Sequence, residues 1–63
     1  MKYVRGDTVV HKTNPRVIWM VREAEGLGND FRYLCMTITD KGKRVSDNFW
    51  EDEIDYAPGE EIS

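Results

Sequence analysis

The sequence predicts a small all-β domain, and three observations support this fold class. Turn-forming residues recur at short intervals and divide the chain into short runs. These runs are rich in β-branched and aromatic side chains, which favour strands, and apolar residues alternate along them. With 63 residues the chain has room for one domain and one small core. We expect a single domain over residues 1–57 and a frayed C-terminal tail over 58–63.

The first two strands are predicted on either side of an Asn-Pro turn. The first run, Thr8 to Lys12, ends before Asn14 and Pro15, because Asn-Pro favours a turn and proline cannot donate to a ladder. The second run, residues 16–24, is apolar on both faces, as in a strand packed on one side and partly covered on the other. Its two alternating sets are Val17, Trp19 and Val21, and Ile18, Met20 and Arg22.

The third and fourth strands form a predicted hairpin. A glycine-containing stretch, residues 25–30, reverses the chain into the third run at 31–39. Alternation places Phe31, Tyr33, Cys35 and Thr37 on one face of that strand, and Leu34, Met36 and Ile38 on the other. Residues 40–43 make a hairpin connector, since Gly42 can take the positive φ of a tight turn, and the fourth strand follows over 44–50.

The chain closes with a predicted helical turn over 51–54 and a very short strand at Asp55 and Tyr56. Five short antiparallel strands with a one-turn helix before the last strand are typical of a small SH3-like β-barrel. The alternative is an open sheet of three or four strands. That sheet would need dimerisation to cover Leu34, Met36 and Ile38, so both a monomer and a homodimer are compatible with the sequence.

Several core-type residues together carry a resemblance to a known family. They are an aromatic residue three positions before Gly6-Asp7, Val9, Trp19, Val21, Ala24, Cys35, Phe49 and Ile54. In this spacing the chain resembles the YodC-like family of short, uncharacterised bacterial proteins over about residues 3–56. It departs from that pattern in a longer second loop and in Thr37, where the family usually has tryptophan. The resemblance implies an SH3-like fold and a bacterial origin, and it transfers no catalytic residues.

Charge is distributed unevenly along the chain, whose net charge is −3. All nine Lys and Arg residues lie between Lys2 and Arg44, whereas residues 47–63 carry seven acidic groups and no basic group. This pattern permits a basic face on an acidic protein, or ion pairing between the two parts. The single cysteine excludes an internal disulfide and indicates a reducing compartment, and no apolar run is long enough to span a membrane. We therefore predict a cytoplasmic protein.

No residue pattern indicates catalysis, a cofactor or a metal site, and we expect a protein that is not an enzyme. His11 is the only histidine, and Cys35 lies between apolar neighbours in a predicted central strand. The acidic turn at 51–55 lacks the spacing of a calcium loop. The stretch Gly26-Leu27-Gly28 lacks the third glycine of a nucleotide-binding loop.

Two binding hypotheses remain, and a protein partner is the preferred one. Aromatic side chains beside an acidic turn suit a basic or amphipathic protein partner, and an open sheet edge could accept a partner strand. The residues of this candidate site are Trp50, Glu51, Asp52 and Tyr56. The alternative is a nucleic-acid-associated domain linked to transcription or translation, because basic groups interleaved with aromatic ones can contact phosphates and bases. Its candidate residues are Arg16, Arg22, Arg32, Lys43 and Arg44.

Overall fold

The computed structural model describes residues 2–27 and 30–58 and contains five strands and one short 3₁₀ helix. The elements are β1 (Thr8–His11), β2 (Asn14–Leu27), β3 (Asp30–Ile38), β4 (Arg44–Trp50), the 3₁₀ turn η1 (Glu51–Glu53) and β5 (Ile54–Tyr56). All neighbouring strands are antiparallel, in the order β4-β3-β2-β1-β5. No helix in the described parts of the chain is long and apolar enough to cross a membrane.

The all-β class, the five antiparallel strands and the helical turn before the last strand are confirmed. The sheet is not closed into a complete barrel, since among the described residues no ladder joins β4 to β5. The reason is local, because η1 separates the two strands and directs β5 onto β1. Backbone hydrogen bonds from Lys12 N to the Glu53 carbonyl (2.9 Å) and from Ala57 N to the Thr8 carbonyl (3.0 Å) extend that pairing. The predicted tail lies outside the described residues except for Pro58.

The turn between β1 and β2 is tighter than predicted. Lys12 and Thr13 form it, and Asn14 already pairs with His11 at the start of β2. The next pair in the ladder is Val10 with Ile18, so Pro15 lies in an irregular part of the pairing. Proline is tolerated at such a place because a bulge needs no regular N–H donor there.

A β-bulge at Arg22 changes the side-chain alternation of β2. Val21 pairs with Cys35 and Glu23 pairs with Leu34, which leaves Arg22 as the extra residue. Val21 and Ala24 therefore both turn towards the core although they are three positions apart. Arg22 and Glu23 are both exposed between them.

The core lies on one face of the curved sheet. Its buried members are Tyr3, Val9, Val21, Tyr33, Cys35, Phe49 and Ile54, with Trp19, Ala24 and Phe31 packed against them. Edge-to-face aromatic pairs hold the core, with 5.3 Å between the rings of Tyr3 and Tyr33 and 4.9 Å between those of Trp19 and Phe49. On the opposite face of β3, Leu34 and Met36 are half-buried and Ile38 is exposed. Gly42 has φ +79°, as predicted for the hairpin turn.

Candidate functional site

The N-terminal segment, Lys2–Tyr3, is bound to the sheet by the hydroxyl of Tyr33. This hydroxyl accepts hydrogen bonds from the backbone N–H of Lys2 (3.1 Å) and of Tyr3 (3.3 Å), and it donates to Glu51 Oε2 (2.6 Å). The Lys2 N–H also approaches the same carboxylate oxygen at 3.3 Å. Tyr33 thus joins the N-terminal segment, β3 and η1 at one end of the molecule.

Tyr56 holds the same segment from the other side. Its hydroxyl donates to the Lys2 carbonyl (3.1 Å), and its ring packs against Tyr3 with 4.8 Å between centroids. The Lys2 ammonium lies over the rings of Tyr3 and Tyr56, at 5.3 Å and 5.8 Å from their centroids. The hydroxyl of Tyr3 donates to the Ile54 carbonyl at 3.1 Å. Tyr56, a predicted partner-binding residue, is therefore engaged in intramolecular contacts.

Trp50 stands at the junction of β4 and η1. Its backbone N–H donates to Glu53 Oε1 (2.8 Å), so the carboxylate closes the start of the turn. Its indole side chain remains 51% exposed, although tryptophan side chains are highly buried on average. In the β3–β4 ladder Trp50 stands opposite Arg32. The turn thus fixes the backbone of Trp50 and leaves its ring at the surface.

An open groove of about 680 Å³, here called the Trp50 groove, lies beside this residue. Its apolar lining comes from Phe31, Trp50 and Ile54. Four carboxylates and two ammonium groups line the rest, namely those of Asp30, Glu51, Asp52 and Asp55, and of Lys2 and Lys12. The structure thus brings Trp50, Glu51 and Asp52 together at one groove. Tyr56 lies outside the lining.

The charge state of the groove follows from these contacts. The hydrogen bond from the Tyr33 hydroxyl, followed by the Lys2 backbone N–H, holds the pKa of the Glu51 carboxyl below its usual range. Burial, together with donation to Glu51, raises the pKa of Tyr33 above its usual value. Glu51 is therefore ionised and Tyr33 is neutral at neutral pH. An ionised Glu51 adds to the negative charge that a partner would meet.

Neither Cys35 nor His11, the two residues considered for catalysis, is part of the lining of this groove. Burial, with a smaller effect of Asp47, raises the pKa of the Cys35 thiol to about 11. His11 Nδ1 contacts the Thr13 hydroxyl at 2.6 Å, and its Nε2 lies 3.7 Å from Glu53 Oε2. The described residues contain no group of three or more His, Cys, Asp or Glu side chains arranged to hold a metal ion.

Two of the five basic residues of the nucleic-acid hypothesis line a common depression. These two are Arg22 and Arg44, whereas Arg32 forms an ion pair with Glu25. Arg16 and Lys43 are exposed but line neither this depression nor the Trp50 groove. Of the aromatic side chains interleaved with them, Tyr33 is fully buried, and Trp19 and Phe31 pack against the core.

Sequence reasoning missed several contributors to these surfaces, among them Lys2, Phe31 and Arg5. Lys2 and Phe31 reach the Trp50 groove because the N-terminal segment and β3 meet at η1, and only the tertiary fold brings these parts together. Arg5 joins Arg22 and Arg44 at their depression. The available signal was the Gly6-Asp7 turn, which places Arg5 beside the strand that it contacts.

Comparison of the chain with protein-family models, with curated proteins and with solved structures finds no match.

Proposed function

We propose that this protein is a non-catalytic binding module that recognises a basic segment of a protein partner in the Trp50 groove. The observation that carries the proposal is the half-exposed indole of Trp50 beside the carboxylates of Glu51 and Asp52. Tryptophan is enriched among the residues that dominate binding energy at protein interfaces. Its exposure here leaves a large apolar surface for a partner to cover.

The charge around Trp50 supports a basic partner. Carboxylates outnumber ammonium groups two to one along the groove, and Glu51 is kept ionised by its hydrogen bond with Tyr33. Complementary charge speeds association and disfavours partners of the wrong sign. An Arg or Lys side chain of the partner would meet these carboxylates while an apolar neighbour covers the indole.

The edge of β4 favours recognition through side chains over strand addition. The N–H groups of Asn48 and Trp50 are already bound, by Asp47 Oδ1 at 2.8 Å and by Glu53 Oε1 at 2.8 Å. An edge strand with occupied donors is a poor template for a partner strand. The groove beside the end of β4 is therefore the better docking position.

We also propose that the chain is a bacterial, cytoplasmic member of the YodC-like family. The residues that carry the resemblance support a shared core, since Val9, Val21, Cys35, Phe49 and Ile54 are all buried. A homodimer through the outer face of β3 is less favoured than a monomer, because Leu34 and Met36 are already half-buried within one chain.

Selection from a random peptide library tests the proposed function without assuming a partner. The protein is the bait, and the Trp50→Ala variant serves for counter-selection. We expect peptides enriched in Arg and Lys next to an apolar residue. Isothermal titration with one such peptide should give binding that Trp50→Ala abolishes and that Asp52→Asn weakens.

The matched control is Ile38→Ala, which removes an exposed apolar side chain, 60% accessible, that lines a different part of the surface. We expect it to bind the selected peptide as the parent protein does. Enrichment of acidic peptides, or equal loss of binding in Trp50→Ala and Ile38→Ala, would contradict the proposal.

A further inference from the structure

A second charged surface lies on the outer face of the sheet, away from the Trp50 groove. Arg5, Arg22 and Arg44 line one depression of about 280 Å³, here called the arginine depression. They come from three separate parts of the fold: the turn before β1, the bulge in β2 and the first residue of β4. Such convergence of three like charges is unfavourable by itself and suits a negatively charged ligand.

The backbone around this depression is fixed by hydrogen bonds. Gly6 N donates to the Val21 carbonyl and Val21 N donates to the Asp7 carbonyl, both at 2.9 Å, so the turn is bound to β2 next to the bulge. Gly6 takes φ +97°, which lets the chain turn sharply after Arg5. Bulges often redirect a side chain beside a functional site, and this one places Arg22 next to Arg5.

The side chains of these three arginines are unpaired within the part of the chain that the structure describes. Within residues 2–27 and 30–58, none of them forms an ion pair or a side-chain hydrogen bond. Arg32 is different, because its charge is paired with that of Glu25. Among the described residues that line the depression, Glu23 supplies one carboxylate against three guanidinium groups, so positive charge exceeds negative charge there. Guanidinium groups that have no partner among the described residues suit phosphate oxygens, which arginine binds in a bidentate way.

We infer that the arginine depression binds the phosphate backbone of single-stranded nucleic acid. Leu34 and Met36 add half-buried apolar surface to the lining of the depression. A single-stranded polyanion suits such a surface, because successive phosphates can each meet one arginine. The planar guanidinium groups can stack on unpaired bases, and the aliphatic side chains of Leu34 and Met36 can make apolar contacts with them. This function is separate from recognition of a basic partner in the Trp50 groove.

Fluorescence anisotropy with labelled decauridylate, measured from 25 to 200 mM NaCl, tests the inference. Three phosphate contacts to a single strand give a slope of log K against log salt of about −2.1, and loss of one contact gives about −1.4. We expect Arg22→Gln and Arg44→Gln each to weaken binding about two- to fivefold and to show the shallower slope. A decauridylate with uncharged methylphosphonate linkages should not bind.

The matched control is Arg16→Gln, which removes the same charge six residues earlier on the same strand. That separation is about 20 Å along the strand, about twice the screening length at 0.1 M salt, so the two variants are compared between 100 and 200 mM NaCl. The reciprocal variant is Glu23→Gln, which removes the one carboxylate of the depression and should tighten binding about twofold or more. Gain of affinity in this variant cannot arise from misfolding.

Three results would overturn the inference. The first is the absence of binding to decauridylate at 25 mM NaCl. The second is an equal effect of Arg16→Gln and Arg22→Gln on affinity and slope. The third is tighter binding of a phosphoserine peptide than of decauridylate at equal ionic strength, where Arg22→Gln abolishes binding of both ligands. That result would assign the depression to a phosphorylated protein partner.

Discussion

The Tyr33 hydroxyl is expected to be a large contributor to stability, and Tyr33→Phe removes it while keeping the ring. The side chain is fully buried, and its oxygen serves the Tyr3 N–H, the Lys2 N–H and the Glu51 carboxylate. Without it the buried Tyr3 N–H loses its acceptor, which costs about 1–3 kcal/mol. A chain of this length has a stability of about 3–9 kcal/mol at the usual value per residue, so this loss is a substantial share.

Urea unfolding followed by tryptophan fluorescence measures this loss, with the requirement that the m-value stays unchanged. The matched control is Tyr56→Phe, whose hydroxyl also binds the N-terminal segment but from a more exposed position. We expect that control to cost no more than about 0.5 kcal/mol, as for a surface substitution. If Tyr33→Phe costs no more than Tyr56→Phe, the assignment of Tyr33 as the main attachment of the segment is refuted.

Three further predictions concern other parts of the fold. The pKa of Glu51 is lowered in the folded protein, so its ionised form stabilises the folded state at pH values above the usual carboxyl pKa. This contribution is lost as the pH drops through the folded pKa. The stability difference between the parent protein and Glu51→Gln should therefore shrink in acid. Urea unfolding midpoints of the two proteins, measured between pH 7 and pH 3, check this prediction, and a constant difference would contradict it. Cys35 has a pKa of about 11 and no exposed surface, so it should resist iodoacetamide at pH 8 until urea unfolds the chain. Mass spectrometry measures the labelling, and rapid labelling of the folded protein would contradict the burial of this thiol. Gly26→Ala should destabilise the protein by about 1–3 kcal/mol, because the added Cβ would meet the Asp30 carbonyl oxygen and would lie 2.9 Å from Phe31 Cα. A melting temperature equal to that of the parent protein would contradict this prediction.

The strands could be predicted because their signals are local. Alternation of Phe31, Tyr33 and Cys35 against Leu34 and Met36 identified the inner face of β3, and the bounds of β4 agree with the predicted run at 44–50. The bounds of β2 were wrong at both ends. The strand begins two residues earlier than predicted, because pairing of Asn14 with His11 outweighs the local tendency of Asn-Pro to form a turn. It also continues to Leu27, through part of the stretch predicted to reverse the chain, because residues 25–27 pair with the start of β3.

The sites were harder to predict, because they depend on contacts between distant parts of the chain. The acidic turn and Trp50 are adjacent in sequence, so their proximity was predictable. The engagement of Tyr56 with Lys2 was not, since 54 positions separate them. The Gly6-Asp7 turn beside Arg5 is recognisable in the sequence, but the grouping of Arg5 with Arg22 also requires the β2 bulge, which has no distinctive sequence signal.

The attachment of the N-terminal segment also bears on the order in which the chain folds. Its hydrogen bonds to Ile54 and Tyr56 close loops of more than 50 residues, whereas the β2–β3 and β3–β4 ladders join neighbouring strands. Closing a long loop costs entropy before the contact is made, so local hairpins form first. The N-terminal segment would then dock after the rate-limiting step, and loss of the Tyr56 hydroxyl would speed unfolding while leaving the folding rate unchanged.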